Sequence, residues 1–314
     1  MIPKFRWILW VLIILVACLK IGDYWKLDEN ETIGLSWRPK RQTLSREYPL
    51  PNLRNRNVFY NRIEKCGSRS LISIAINIAQ RNKIKVISDN KIYKRKLEGV
   101  ELKELQQNII NIFPPTFYER HLLYVDFDMY PESLRPVYIN IVRDPIERFV
   151  SHFNYEKYGD ASRNKSRSPP KAGRENINDC VLKEIGVCNR HNPMMFNMGF
   201  YFCGMGNTCK IRSATRVKIA KRHVDEKYSV IGVLEEFEKT LLLFEWMLPD
   251  YFQGALDIWK THNETSGTTE SIKRDFLTPE SRKKLKEDLM ADEYEVYYHA
   301  KRKFENLKRK YLIT

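Results

Sequence analysis

Apolar positions along this chain alternate between short continuous runs, typical of buried strands, and an i, i+3, i+4 spacing, typical of amphipathic helices. In chain order the pattern predicts strand 58–62, helix 70–81, strand 84–88, helix 99–111, strand 121–126, strand 137–142, helix 145–157, helix 213–225, strand 228–233 and helix 235–247. Strands that alternate with helices in this way favour an α/β fold, with a parallel sheet and helices on its faces.

Two other segments have distinct patterns. From Pro279 to the C-terminus, charged residues alternate with an aromatic stripe at helical spacing, which favours helix packing over ligand binding. The stripe consists of Tyr294, Tyr297, Tyr298, Phe304 and Tyr311. Residues 160–175 are basic and contain two adjacent prolines. This composition predicts a solvated loop that leaves the α/β pattern.

The N-terminal pattern is that of a membrane segment. Lys4 and Arg6 precede an apolar run, which predicts an uncleaved transmembrane signal-anchor over residues 7–25 and a cytosolic tail over residues 1–6. A cleaved signal peptide is the alternative, although no A-x-A site follows the run. Residues 26–56 are polar and lack a sustained period, so they predict a stem, and residues 57–314 then form one lumenal domain.

Three N-x-[ST] triplets are consistent with a secretory lumen. They begin at Asn30, Asn164 and Asn263, and each is a candidate glycosylation acceptor. The motif is short and common by chance, so each triplet alone is weak. Together with the apolar N-terminal run, the three triplets favour a eukaryotic secretory compartment for the domain.

The cysteines support an oxidising compartment. Two close pairs in loop-like sequence predict the disulfides Cys180–Cys188 and Cys203–Cys209. A zinc site formed by these four residues is the alternative, but the spacings are wider than those of paired C-x-x-C ligands. Cys66 then remains as a free thiol.

The first junction between a predicted strand and a helix has the chemistry of an anion site. Strand 58–62 leads into a loop of basic, small and hydroxyl residues: Lys65, Cys66, Gly67, Ser68, Arg69 and Ser70. The helix N-terminus that follows favours anions through its dipole and its unpaired N–H groups. The G-x-x-x-x-G-K-[ST] spacing is missing, which disfavours a standard P-loop ATPase or kinase. An ordinary capped turn remains an open alternative.

The second junction between a predicted strand and a helix has a similar arrangement of basic and hydroxyl residues. Arg143 closes strand 137–142, Pro145 occupies a favoured first-turn position, and Ser151 lies about two turns into the helix. Arg143 and Ser151 can share one anion. Together, the two junctions predict one ligand that carries a phosphate-like group at each end.

Composition limits the class of partner. The chain has 314 residues, of which 43% are hydrophobic, enough for a substantial core. Its 54 Lys and Arg against 39 Asp and Glu give a formal charge of +15. Such an excess favours an acidic partner, whether nucleic acid, a membrane surface or an anionic polysaccharide.

Several blocks of sequence resemble one enzyme family. The most specific is Arg-Asp-Pro-Ile-Glu-Arg at 143–148. The other blocks lie at 60–62, 65–69, 120–121, 138–142, 202–204, 232–236 and 251–254. In these blocks the chain resembles the Golgi 2-O-sulfotransferases that act on uronic acids of glycosaminoglycans. Within that family it is most similar to the uronyl 2-O-sulfotransferases and the insect Pipe proteins.

The resemblance implies a P-loop-like sulfotransferase fold and transfer of a sulfo group from 3'-phosphoadenosine 5'-phosphosulfate, without a metal. The acceptor would be the 2-hydroxyl of a uronic acid in a glycosaminoglycan or glycoprotein glycan, and not a nucleic acid. The resemblance also implies a type II Golgi membrane protein, and relatives suggest a homotrimer. By the same resemblance, Lys65 and residues 66–70 hold the 5'-phosphosulfate, Arg143 and Ser151 bind the 3'-phosphate, and His121 is the general base. Lys65 also suits the charge that develops on the departing phosphate oxygen.

Two other classes of function stay open at this point. Asp126-Phe127-Asp128 has the D-x-D form that holds a divalent metal in lumenal glycosyltransferases. The clusters 282–284 and 301–303, three basic residues each, fit a non-catalytic binder of anionic polysaccharide. The heparan sulfate branch of the family carries a second histidine two positions before its base. Glu119 stands there in this chain and is the alternative base.

Overall fold

The computed structural model describes residues 56–89, 94–158, 175–192, 195, 197–265 and 274–313. The predicted anchor and stem, Asn30, Asn164 and nearly all of the basic segment 160–175 lie outside these residues. Asn263 lies at a helix position whose side chain is also outside them. Within the described ranges, no helix is both long enough and apolar enough to cross a bilayer.

Five parallel strands form the central sheet, in the order β2-β3-β1-β4-β5. The strands are β1 Val58–Asn61, β2 Lys85–Ser88, β3 Thr116–Arg120, β4 Val137–Val142 and β5 Tyr228–Val233. Strands β1 and β4 are completely buried, whereas edge strand β2 is partly exposed. The structure therefore confirms the predicted parallel α/β sheet, with its core at the central strands.

Helices flank this sheet and fill the connections between strands. They are α1 Ser68–Asn82, α2 Gly99–Asn111, α3 Pro145–Tyr158, α4 Ile177–Lys183, α5 Asn197–Cys203, α6 Ala214–Glu226, α7 Phe237–Met247, α8 Pro249–Phe252, α9 Ala255–Thr265, α10 Pro279–Lys284 and α11 Ala291–Lys310. Short 3-10 turns span Glu132–Leu134, Gly186–Cys188, Asn207–Cys209 and Leu234–Glu236, and a π turn spans Leu285–Leu289. The aromatic stripe lies on α11 and buries Tyr294, Tyr297 and Phe304, as helix packing requires.

One predicted strand is wrong. The sequence pattern predicts a strand over 121–126, but β3 lies just before it, and 121–126 is irregular. Strand β3 pairs with β1, which ends at Asn61 opposite Arg120, so the ladder ends there. The strand was missed because Glu119 and Arg120 look like surface residues, although the fold buries both.

The order of the strands determines where a ligand can bind. Strands β1 and β4 are neighbours, and the chain leaves β1 towards β2 on one side of the sheet and leaves β4 towards β5 on the other. In open α/β sheets, ligands bind outside the carboxyl ends of the strands at such a switch point. The residues that follow β1, β3, β4 and β5 therefore meet at one edge.

Candidate active site

The loop after β1 has a backbone conformation that few residue types adopt without strain. Lys65 has a φ of 65° and Gly67 a φ of 76°, both in the left-handed region. A Cβ at Gly67 would lie 2.5 Å from Cδ1 of Leu234, which follows β5. Gly67 immediately precedes α1 and offers no side chain to cap it. Since first-turn N–H groups have no acceptor within a helix, this N-terminus is suited to an external anion.

Two cations of this loop contact one aromatic ring. The Lys65 Nζ lies 4.2 Å from the centre of the Tyr155 ring, and the Arg69 guanidinium carbon lies 6.0 Å from it. Cation–π attraction of this kind holds a cation over the ring face. Tyr155 was missed by the sequence analysis, because a tyrosine within α3 gives no sign of its partner. Its ring brings the second junction against the first.

Arg143 connects the two junctions directly. Its Nη1 donates a hydrogen bond of 3.2 Å to the backbone carbonyl of Lys65. Ser151 is half-buried on α3 and precedes Tyr155 by four residues, so both lie on one face of the helix. The structure thus brings Lys65, Arg143 and the face of α3 that carries Ser151 and Tyr155 to the same edge of the sheet.

The second junction differs from the first in one respect. Asp144 Oδ1 accepts the backbone N–H groups of Ile146 at 3.0 Å and Glu147 at 3.1 Å, so the protein itself caps α3. The N-terminus of α3 is therefore not the anion site that the strand-to-helix pattern suggested. Anion binding by Arg143 and Ser151 therefore stays a prediction that would depend on their side chains.

His121 follows β3 at the same edge and is held in one tautomer. Its Nδ1 lies 2.9 Å from the carbonyl oxygen of Arg62, at the end of β1. A carbonyl only accepts, so the proton is on Nδ1 and the lone pair is on Nε2. Burial lowers the pKa of His121 to about 4, although Glu64 opposes this shift. The imidazole is therefore neutral near pH 7 and able to accept a proton.

A carboxylate that sequence analysis missed lies beside His121. Glu64 Oε1 lies 2.7 Å from Arg95 Nε and 3.9 Å from His121 Nδ1. Its Oε2 accepts a hydrogen bond of 2.9 Å from Asn197 on α5. These partners come from segments far apart in sequence, so spacing alone gave no signal for the group.

The contacts of Glu119 make it a poor candidate for the alternative base that the sequence allowed. It is fully buried, and its Oε2 lies 2.6 Å from Arg62 Nε. Its other oxygen accepts a hydrogen bond from the Ser88 hydroxyl. Burial raises the pKa of Glu119. Its place in the fold is to hold Arg62, whose carbonyl orients His121.

Cys66 has a structural place in the anion loop. Its side chain is fully buried and unpaired, and burial raises the pKa of the thiol to about 12. A thiol that stays protonated is a poor nucleophile. Any contribution of Cys66 to anion binding must therefore come from its backbone.

The D-x-D segment is occupied by contacts within the protein. Asp126 Oδ1 accepts the backbone N–H of Asp128 at 2.7 Å. Asp128 forms ion pairs with Lys227 and Arg135, which lower its pKa. Among the residues that the structure describes, no cluster of three or more metal-binding side chains is found. Neutralisation by two cations makes this carboxylate pair a poor fit to a metal-bound sugar nucleotide.

Residues of the two basic clusters, 282–284 and 301–303, also form contacts within the protein. Arg282 pairs with Glu147 at 2.9 Å, and Lys284 pairs with Glu184 at 3.1 Å. Lys303 is half-buried and donates to the carbonyls of Val224, Asp225 and Tyr228. These contacts stabilise the domain, so the clusters are not simple solvent-facing polysaccharide sites.

The structure contains two disulfides. Cys180–Cys188 joins the middle of α4 to the 3-10 turn that follows it, and Cys203–Cys209 joins the last residue of α5 to the next 3-10 turn. The Cα atoms are 5.5 Å apart in the first and 5.6 Å apart in the second. The four cysteines are therefore not zinc ligands in this structure.

Comparisons with known proteins agree with this arrangement. The chain is 33% identical to human (Homo sapiens) uronyl 2-sulfotransferase over 275 residues, which cover 85% of this chain and 66% of that protein. It is 32% identical to the Mus musculus protein of the same name over 274 residues, or 85% and 65% of the two chains. With Mus musculus heparan sulfate 2-O-sulfotransferase 1 it shares 29% identity over 253 residues, 79% and 70% of the two chains.

The chain thus spans slightly less than two thirds of the uronyl relatives it matches. The family model described as "Sulfotransferase family" matches residues 53–299, a range that includes the anion loop, His121, Arg143 and α3. The match covers most of the chain and all of the sheet. The chain therefore belongs to the sulfotransferase family.

Proposed function

We propose that this protein transfers a sulfo group from 3'-phosphoadenosine 5'-phosphosulfate to the 2-hydroxyl of a uronic acid in a glycosaminoglycan or glycoprotein glycan. The observation that carries the proposal is the meeting of an anion loop, an arginine and a neutral histidine at one sheet edge. Arg143 contacts the Lys65 carbonyl, and His121 contacts the Arg62 carbonyl, so both are fixed to the segment after β1. Membership of the sulfotransferase family supports the same reaction.

The donor has an anionic group at each end, and the residues present fit both. Lys65 and the backbone of residues 66–70 suit the 5'-phosphosulfate, because the left-handed Gly67 exposes the N-terminus of α1. Arg143 and Ser151 suit the 3'-phosphate. In this assignment the two junctions bind one donor, as their pairing in the sequence suggests.

The reaction requires one proton transfer and one displacement. The uronic hydroxyl oxygen forms a bond to sulfur as the bond from sulfur to the bridging phosphate oxygen breaks. The departing 3'-phosphoadenosine 5'-phosphate keeps that electron pair. The hydroxyl proton passes to Nε2 of His121, whose lone pair is available because Nδ1 donates to the Arg62 carbonyl. Lys65 offsets the negative charge that grows on the bridging oxygen.

Charge and the relatives support our proposal for the acceptor and the cellular setting. A formal charge of +15 suits a polyanionic glycan. The names of the relatives, uronyl 2-sulfotransferase and heparan sulfate 2-O-sulfotransferase 1, support a reaction at the 2-hydroxyl. Residues 7–25 would anchor the enzyme in the Golgi membrane as a type II protein, with Asn30, Asn164 and Asn263 as glycosylation acceptors and a homotrimer as the assembly.

A lysine pair offers a direct test of the anion loop. Lys65→Ala is expected to lower sulfo transfer about a hundredfold to a thousandfold, the usual cost of one lost contact to developing charge. Lys83→Ala is the matched control, since Lys83 also has a positive φ, 56°, but lies at the opposite end of α1. Transfer and calorimetric binding of 3'-phosphoadenosine 5'-phosphate are measured for both. Normal turnover by a folded Lys65→Ala protein would refute the assignment.

A further inference from the structure

Glu64 occupies an unusual position for an anion-binding loop, directly before Lys65. Its side chain is 13% exposed and is held from two sides, by Arg95 from the segment before α2 and by Asn197 from α5. The oxygen that faces Arg95 is also the one that faces His121 Nδ1, at 3.9 Å. A carboxylate fixed this firmly beside the candidate base requires a reason beyond donor binding, since it repels an anion.

His121 needs a negatively charged partner only at the step in which it accepts a proton. When His121 accepts the hydroxyl proton at Nε2 it becomes an imidazolium in a half-buried position near the guanidinium groups of Arg62 and Arg95. The charged groups that face it are Glu64, Arg62 and Arg95, and Tyr201 on α5 is a further titratable group beside Glu64. The guanidinium charges of Arg62 and Arg95 oppose protonation of the imidazole, whereas the Glu64 carboxylate and the hydrogen bond to the Arg62 carbonyl favour it. Without the carboxylate, proton uptake would occur against the charge of Arg95, which loses its ion-pair partner, whereas Glu119 would still offset the charge of Arg62.

We propose that Glu64 is the positioning residue for His121, with its carboxylate held by Arg95 and Asn197 so that it stabilises the imidazolium formed during sulfo transfer. The inference rests on the proposed function for its catalytic consequence, but the coupling of Glu64 to His121 is a property of the free protein. Glu64 remains ionised for this task. Burial opposes its ionisation, but Arg95, His121 and Asn197 outweigh burial and hold the pKa of Glu64 below its usual value.

Two substitutions that change the local charge in opposite directions distinguish this role from a merely structural one. Glu64→Gln keeps the shape and removes the charge, so the imidazole should become harder to protonate. Arg95→Gln removes a cation and should make it easier to protonate. Glu184→Gln is the matched control, because Glu184 also pairs with an arginine Nε, that of Arg190 at 2.9 Å, but lies after α4. A purely structural role of Glu64 would give no such pattern of signs.

The measurement is a titration of the His121 imidazole by NMR in full-length protein without donor, with the resonance assigned by its loss in His121→Gln. In Glu64→Gln the midpoint should fall by about 1 pH unit or more, the usual effect of a charge at this range. In Arg95→Gln it should rise, and in Glu184→Gln it should not move. Sulfo transfer by Glu64→Gln should fall about three- to tenfold, because a weaker base is a less effective one.

An unchanged or raised midpoint in folded Glu64→Gln would overturn the proposal. If that variant does not fold, Arg95→Gln decides the matter, since a midpoint that stays or falls would show that this pair does not control His121. The readouts also separate the two hypotheses. Shifted midpoints in a protein that transfers no sulfo group would refute the proposed function and leave the coupling intact. Normal transfer with unmoved midpoints would refute the coupling of Glu64 to His121 and leave the proposed function intact.

Discussion

His121 can act as a base only while its imidazole is neutral, and its surroundings maintain that state. Burial lowers its pKa to about 4, and the Arg62 carbonyl fixes its proton on Nδ1. A lowered pKa means that the base is present above about pH 4 and is lost as the pH falls through that value. The titration of His121, taken alone, therefore does not change the rate of sulfo transfer between neutral pH and the acid range.

His121→Ala tests this role. We expect sulfo transfer to fall about 10² to 10⁴-fold, the usual worth of a positioned base. Binding of 3'-phosphoadenosine 5'-phosphate should persist, because donor affinity is assigned to Lys65, Ser68, Arg143 and Ser151. Calorimetry and transfer are measured on both proteins. If nucleotide binding is lost together with transfer, His121 contacts the donor or supports the fold instead. Glu119 would not then replace it, since Arg62 and Ser88 occupy its carboxylate.

Sequence analysis could propose the candidate residues that lie in distinctive local patterns, and it missed those that depend on distant partners. Lys65 and Arg143 each belong to a strand-to-helix junction, so both could be predicted. Contacts between segments far apart in sequence, namely α3, the segment after β1 and α5, determine the partners of Tyr155, Glu64 and Asn197. No local spacing encodes such a meeting.

Among the elements, the junction between β1 and α1 depends most on one glycine. Gly67→Ala places an L residue in the left-handed region, which costs about 1 to 2 kcal/mol, and brings its Cβ against Leu234. Gly254→Ala is a matched control, since Gly254 also precedes a helix at positive φ, 86°, with nothing within 4 Å of an added Cβ. Denaturant unfolding should show a cost in both variants. Only Gly67→Ala should weaken nucleotide binding, and equal binding by the two would contradict the assigned loop.

The disulfides stabilise the helical elements that follow the basic segment. The bonds close loops with separations of 8 and 6 residues, so the chain-entropy relation gives each about 2 to 3 kcal/mol, by a mechanism that is disputed. The double variants Cys180→Ser with Cys188→Ser, and Cys203→Ser with Cys209→Ser, should therefore lose similar free energies of unfolding. Non-reducing peptide mapping should find Cys66 unpaired. A peptide that joins Cys66 to another cysteine would contradict the pairing.

At the same scale, apolar runs located β4 and β5 because both strands are buried and almost uniformly hydrophobic. The same signal failed for β3, where Glu119 is buried by pairing with Arg62. A strand that contains a buried ion pair is not detected by a pattern of hydrophobicity, since the residue that neutralises the charge, Arg62, lies just after another strand.

For the whole molecule, the parallel sheet explains why residues from distant segments form one site. Strands β1, β3 and β4 end at the same edge, so the anion loop, His121 and Arg143 meet without long connections. The parallel α/β class could be predicted from the alternation of strands and helices. The strand order could not, because the pattern gives the sequence of elements and not their neighbours.

The most direct measurement is transfer of radiolabelled sulfate from 3'-phosphoadenosine 5'-phosphosulfate to dermatan, chondroitin and heparan acceptors, followed by disaccharide analysis of the product. The protein is compared with its His121→Ala variant under the same conditions. Our account predicts label on the 2-oxygen of a uronic acid for at least one acceptor, and a loss of label with the variant. Label confined to the hexosamine, or no transfer to any of the three acceptors by folded protein, would contradict it.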